Sequence, residues 1–328
     1  MKKSLNDCDT NFDMKRGIPR MKCEILYEDK EILVIRKPAG LATQSASVSQ
    51  SDAVSELKGY LVKKDTNETR RVNPAGNTAG NIVGNTAGNI AGNTAGNAAG
   101  NTERMSAKTS SSGFDQKRGE PYLGVIHRLD QPVEGLLVFA KTPRAAANLT
   151  KQLSTGILNK KYYALVCGEV APSSGDLEDF LWKDSGNVAR VVTGREKEYP
   201  QAKLAKLRYT VLGDKKLKTA LTSNSQSDNS ASSVSKAAET CEVPVSLLDI
   251  RIETGRFHQI RAQLAHAGYP ILGDRKYGSE LSVSLSDRYQ IKNVALCAYE
   301  IRFRHPGTNE DRSWKIFPEA KAFTNIKG

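Results

Sequence analysis

Three short stretches of this 328-residue chain carry residue types that do chemistry. In Val125-Ile-His-Arg-Leu-Asp-Gln-Pro-Val-Glu-Gly-Leu-Leu-Val-Phe-Ala-Lys141, His127, Arg128 and Asp130 fall within four residues, ahead of a Pro/Gly loop and an apolar strand. An aspartate on a loop that feeds a core strand is held rigidly yet stays reachable. Near arginines it remains ionised, as a nucleophile or base, although the same residues suit an ion pair that only ties the loop down. In Glu253-Thr-Gly-Arg-Phe-His-Gln-Ile-Arg261, a Thr-Gly-Arg turn before a helix start gathers backbone N–H groups, Arg256 and the helix dipole, which suits phosphate. His258 and Arg261, three apart, can share a helix face; a solvated basic helix would look the same. In Lys160-Lys-Tyr-Tyr-Ala-Leu-Val-Cys-Gly168, the paired tyrosines of a strand point to opposite faces. One can pack the core while the other lines a cleft and stacks on a base; plain packing accounts for such a pair too.

Other chemistries lack their motifs. There is no G-x-G-x-x-G after a strand and no G-x-x-x-x-G-K-[ST], so neither dinucleotide nor P-loop phosphate binding is indicated. The four histidines (His127, His258, His266, His305) form no H-E-x-x-H, and no metal site is expected. The five cysteines are odd in number, scattered and without C-x-x-C, which argues against a disulfide framework and suits a reducing cytosol.

The elements that must position these residues read as mixed α and β. Cys23–Tyr27 and Ile32–Arg36 flank a polar turn as a hairpin. Leu136–Ala140 is a continuous apolar run suited to a central strand. Thr142-Pro143 opens a helix that carries Ala146, Leu149 and Leu153 and ends near Gly156. Strands are expected at Tyr162–Cys167, Ala205–Val211, Val245–Arg251 and Ala298–Phe303, and a helix from about His258 to Ala267 with Gly268 at its end. Strands outnumber helices without alternating with them, which favours an α+β fold.

Lys and Arg number 48 against 36 Asp and Glu, a formal charge of +12, and such an excess suits a polyanion partner as well as simple solubility. No apolar run approaches the ~20 residues of a membrane span, and MKKSLNDCDTNFDMKRG has no apolar stretch of a signal peptide. Gly-Asn recurs every four residues from Gly76 to Gly100, and Leu221–Thr240 is Ser-rich. Neither can build a core, so residues 65–119 and 216–240 are expected as insertions and 1–20 as a disordered terminus. Setting these aside leaves roughly 230 residues, enough for one large domain or two tightly joined halves.

The motifs together resemble the RluA family of RNA pseudouridine synthases. His127-Arg-Leu-Asp130, a glycine and Leu-Leu-Val-x-Ala-Lys match its signature. Ile25–Leu41, Lys160–Gly168, Thr254–Arg261 with Pro270-Ile-Leu-Gly-Asp274, and Leu296–Pro306 match further motifs in order. The resemblance spans roughly residues 22–318. It implies the pseudouridine synthase fold, a mixed and largely antiparallel sheet with flanking helices and a central cleft, over residues 21–320. It also implies isomerisation of uridines in ribosomal or transfer RNA with no cofactor and no metal, by a cytoplasmic, monomeric protein without a protein partner. The alternative is an idle RNA-binding or RNA-remodelling protein on the same fold.

By the same resemblance, Asp130 is the nucleophile, Tyr162 lies against the flipped base, and Arg261 ion-pairs with the aspartate. Tyr163 is then expected in the core. Arg128 fills the gap that the flipped uridine leaves, and Arg256, His258 and Gln259 contact phosphate or substrate loop. Three features depart from the pattern. Val133-Glu134-Gly135 stands where Thr-Ser-Gly is common, the 20 residues before Met21 leave no room for an S4-type module, and the insertion before Val125 is long.

Overall fold

In the computed structural model, residues 21–45, 50–72, 120–220 and 240–324 are described. The chain divides into a unit of residues 1–59 with 122–328 and a unit of residues 60–121. In the first unit, β1 (Glu24–Glu28) and β2 (Ile32–Lys37) form the expected hairpin, turned by Asp29, whose Oδ1 accepts from the amides of Glu31 and Ile32 at 2.8 Å each. Helix α1 (Ala53–Val72) starts at Asp52, whose Oδ1 accepts from the Ser55 amide at 2.7 Å. Its residues 60–72, with 120 and 121, are what is described of the second unit.

Next come β3 (Gly124–Val125), β4 (Glu134–Ala140), α2 (Pro143–Ser154), β5 (Asn159–Cys167), β6 (Ser174–Lys183) and β7 (Ala189–Val192). A 3-10 turn at Tyr199–Gln201 leads into β8 (Lys203–Ala220), paired with β9 (Thr240–Ile252). The chain continues through α3 (Gln259–His266), α4 (Glu280–Arg288), β10 (Leu296–Arg304), β11 (Asp311–Lys315) and α5 (Lys321–Thr324).

The strands form one 11-stranded sheet in the order β1-β2-β4-β10-β5-β9-β8-β6-β7, with β11 on β10 and β3 on β4. Its strand pairs are antiparallel except β4 with β10. The fold is therefore α+β with a mixed, largely antiparallel sheet, as expected. Strand β4 is buried along its whole length, which is why Leu136–Ala140 reads as an unbroken apolar run. On one face Val34, Leu136 and Val138 pack with Leu149 of α2, and with Ile301 and Phe303 of β10. Each such buried side chain contributes about 1.5–3 kcal/mol relative to exposure.

Helix α2 has the expected cap. Thr142 Oγ1 accepts from the Ala145 amide at 3.1 Å, Pro143 sits in the first turn, and Gly156 takes φ +73° just beyond the end. Helix α3 packs through Ala262 against Leu181, Ala189 and Ala205 of β6, β7 and β8.

The expected insertions begin later than their composition suggests. Residues 65–72 continue α1, residues 216–220 are the end of β8, and Thr240 already belongs to β9. Cross-strand pairing, which runs out to Ala220↔Thr240, holds a segment whose own side chains give no strand signal. The remainder of both insertions and residues 1–20 lie outside the described residues. Among the described residues no helix is long and apolar enough to cross a membrane.

Candidate active site

Asp130 sits on the loop between β3 and β4, and its backbone is gripped on both sides by the end of β2 and the segment that follows it. Before it, Thr43 Oγ1 donates to Leu129 O (2.8 Å) and accepts from Leu129 N (3.1 Å). After it, Gln131 O accepts from the Gly40 amide (2.8 Å) and from Lys37 Nζ (3.3 Å). The loop closes on itself where the Val133 amide donates to Asp130 O at 3.0 Å.

Lys37 has no exposed surface, and its ammonium also donates to the carbonyls of Leu41 (2.6 Å) and Pro38 (2.9 Å). Burial pushes its pKa down to about 8 against the pull of Cys23, Asp130 and Glu134. Sequence reading missed this residue. The signal was a lysine at a strand end directly before Pro-Ala-Gly, where a turn exposes carbonyls to a donor.

The side chain of Asp130 is 27% exposed, and its Oδ2 accepts from Arg261 Nη1 at 3.1 Å. Arg261 is buried on α3 and makes a two-pronged pair with Asp274, Nε to Oδ2 at 2.7 Å and Nη2 to Oδ1 at 2.8 Å. Burial opposes the guanidinium charge, but hydrogen bonds and charge from Asp274, joined by Asp130, raise its pKa on balance. Asp274 Oδ1 also accepts from the amides of Lys276 and Tyr277, so the arginine's orientation is fixed from behind.

His258 opens α3 in the left-handed conformation, φ 51°, and its Nε2 lies 3.6 Å from the same Asp130 Oδ2. Burial depresses its pKa to about 4, with Asp130 pulling upward and Arg261 and Lys276 downward, so the ring is neutral at physiological pH. His258 and Arg261 thus do share a face. Rather than reaching out to phosphate, His258 is turned inward beside the aspartate.

Tyr162 on β5 is buried, and burial together with the Asp130 charge raises its pKa, keeping it a neutral phenol. Its hydroxyl has no hydrogen-bond partner among the described residues. Tyr163 is not in the core as expected. It is half-buried on the other face, stacked on Tyr299 at 3.7 Å between ring centroids, because that side of β5 is left partly open.

Arg128 is exposed and free of ion pairs among the described residues. Arg256 is exposed, with Nε bonded to Leu204 O at 2.8 Å. Gln259 does not present itself to a ligand. It is buried, its Oε1 accepts from Thr254 Oγ1 (2.8 Å) and the Arg256 amide (3.0 Å), and its Nε2 donates to Lys206 O (3.0 Å). It pins the Thr-Gly-Arg turn to β8, and the Arg256 amide that a phosphate would need is taken.

His127 is fully buried and neutral, with desolvation holding its pKa well below the usual value. Its Nε2 faces the Val138 amide at 3.4 Å. No three His, Cys, Asp or Glu side chains group as metal ligands among the described residues.

A mixed, largely antiparallel sheet thus sets a clamped loop carboxylate against a buried arginine, with a buried tyrosine on the neighbouring strand β5. The family model described as RNA pseudouridylate synthase matches residues 31–266, and the chain belongs to this family, with the motif order of its RluA branch. It is 26% identical to "RNA pseudouridine synthase 2, chloroplastic" of Oryza sativa subsp. japonica over 92% of this chain, and that match spans 63% of the rice protein, less than two thirds of its length. It is 30% identical to "Ribosomal large subunit pseudouridine synthase D" of Pasteurella multocida over 59% of this chain and 52% of that one. The structure of "Human RNA Pseudouridylate Synthase Domain Containing 4" shares the fold, with TM-score 0.52, 19% identity, and 91% and 90% of the two chains covered.

Proposed function

We propose that this protein is an RNA pseudouridine synthase that isomerises particular uridines, with Asp130 as the nucleophile. The observation that carries the reading is the division of labour on one carboxylate. Oδ2 is held by Arg261, while Oδ1 has no hydrogen-bond partner among the described residues on a side chain that is 27% exposed. The isomerisation breaks the N1–C1′ bond and forms C5–C1′. The C5 proton leaves and N1 gains one, so nothing is oxidised or consumed. The chain's own residues supply a fixed carboxylate for the glycosidic bond, a buried guanidinium paired with it, and a buried neutral phenol in Tyr162 for proton transfer. Arg128, exposed and without an ion pair among the described residues, is suited to the space a flipped uridine vacates. The +12 charge supplies phosphate attraction.

Ribosomal RNA is the favoured substrate over transfer RNA, since relatives bear ribosomal large-subunit names. The chain acts as a cytoplasmic monomer whose catalytic domain is residues 21–320. The test is carbodiimide and primer-extension mapping of pseudouridine in cells carrying wild type, a deletion or Asp130→Asn. A site lost in the deletion, and restored by wild type but not by Asp130→Asn, supports the reading. No altered site, with purified protein still binding RNA, overturns it in favour of an idle RNA binder.

A further inference from the structure

Tyr277 is placed by the same carboxylate that orients Arg261: its amide donates to Asp274 Oδ1 at 3.1 Å. Its ring lies 5.0 Å from the Arg261 guanidinium and meets the His258 ring edge-on, at 5.6 Å and 88°. Its hydroxyl accepts from the Ala189 amide at 2.7 Å and lies 2.9 Å from His258 Nδ1. An oxygen that already accepts from an amide has its own proton to give, and Nδ1 is the acceptor in reach. A neutral imidazole that accepts at Nδ1 carries its proton on Nε2. That is the nitrogen 3.6 Å from Asp130 Oδ2.

We propose that Tyr277 is a positioning residue of the isomerisation: through Nδ1 of His258 it fixes the neutral tautomer whose Nε2–H is directed at the nucleophilic carboxylate. The inference rests on the reading of Asp130 given above. The imidazole is held on further sides, since Phe257 stacks on it at 3.8 Å and its backbone sits at φ 51°, a conformation uncommon outside glycine. Of the charged groups acting on the ring, Asp130 and Asp274 favour protonation and Arg261 and Lys276 oppose it, and burial, the largest influence, keeps it neutral. With Nε2–H presented, His258 and Arg261 converge on Oδ2 and leave Oδ1 for the substrate. With the proton on Nδ1 instead, a lone pair would face the carboxylate and push it out of place. At 3.6 Å the contact is longer than a hydrogen bond, and such contacts tighten in the substrate complex.

The test combines a double-mutant cycle with a spectroscopic readout. Asparagine is the substitute for His258 because it tolerates the left-handed backbone. On the mapped RNA, Tyr277→Phe is expected to lower kcat about tenfold with KM little changed, and to add nothing in a His258→Asn background. Losses that add in the double variant, or a lowered melting temperature with kcat intact, would mean that Tyr277 serves only the Ala189 amide, and the proposal fails.

Nitrogen-15 NMR of histidine-labelled protein reads the tautomer without any substrate. Wild type is expected to show His258 protonated at Nε2, and Tyr277→Phe a mixture. An Nδ1–H form in active wild type overturns the proposal alone. The Nε2–H form in a protein inactive on every RNA overturns the functional reading instead.

Discussion

Asp274 has no exposed side-chain surface, and its contacts orient other groups: Arg261 through both oxygens, and the turn carrying Tyr277 through backbone amides. Removing the arginine would strand that carboxylate in the interior. Arg261→Met is expected to cost about 3–5 kcal/mol in urea denaturation and to abolish pseudouridine formation. Adding Asp274→Asn, which removes the stranded charge and keeps an acceptor for the Lys276 and Tyr277 amides, is expected to restore part of the stability and none of the activity, because Asp130 still lacks its partner. Recovery of activity in the double variant would show the arginine to be structural only. Asp130 and Arg261 were legible in the sequence because residue type and motif order say enough about them. Gln259, Tyr163 and Lys37 were not, because their partners lie elsewhere in the chain. Gln259 turns inward to Lys206 O, 53 residues away, and Lys37 reaches Gln131 O, 94 residues away. Local spacing cannot distinguish such a side chain from one that faces a ligand.

At the scale of elements, the legible parts are those whose own side chains decide their conformation. Strand β4 is apolar from Leu136 to Ala140, and α2 has its cap, its proline and its terminal glycine in the expected places. The elements left unread are those that neighbours hold in place. Strand β6 is mostly half-buried or exposed, yet pairs with β8 from Ser174 to Leu181, and the outer half of β8 is a lysine-rich run paired with β9. Helix α1 did offer a signal, Val54, Leu57 and Leu61 at helical spacing, which the polar run after it obscured.

Gly135 shows why one glycine survives in a motif whose preceding residues have changed. It sits at φ +138°, and a Cβ there would lie 2.5 Å from the Ala298 amide nitrogen, in the register where β4 meets β10. Gly135→Ala is therefore expected to destabilise by at least about 3 kcal/mol, read from the denaturation midpoint. A midpoint unchanged from wild type would show that β10 can shift to accommodate the methyl.

Across the whole molecule, strand pairing rather than loop content sets what the fold needs. Because β8 and β9 remain paired to Ala220↔Thr240, residues 221–239 should be replaceable by a two-residue Asn-Gly turn. The shortened protein is expected to melt within about 2–4 °C of wild type, the span of roughly 1 kcal/mol, and to modify the same uridine. Loss of that modification with the melting temperature kept would assign the segment a part in RNA recognition.

The sheet order carries a consequence for how the molecule comes into being. Strand β10 lies between β4 and β5 although it is made after both. Until residues 296–304 have left the ribosome, the Glu134 end of β4 and the facing side of β5 are open edges. The loop bearing Asp130 enters one half of the sheet, whereas Tyr162 belongs to the other. A nascent chain therefore holds Asp130, Tyr162 and Arg261 before it holds them together, and the proposed site is complete only once the last-made strand of the central row has been slotted in.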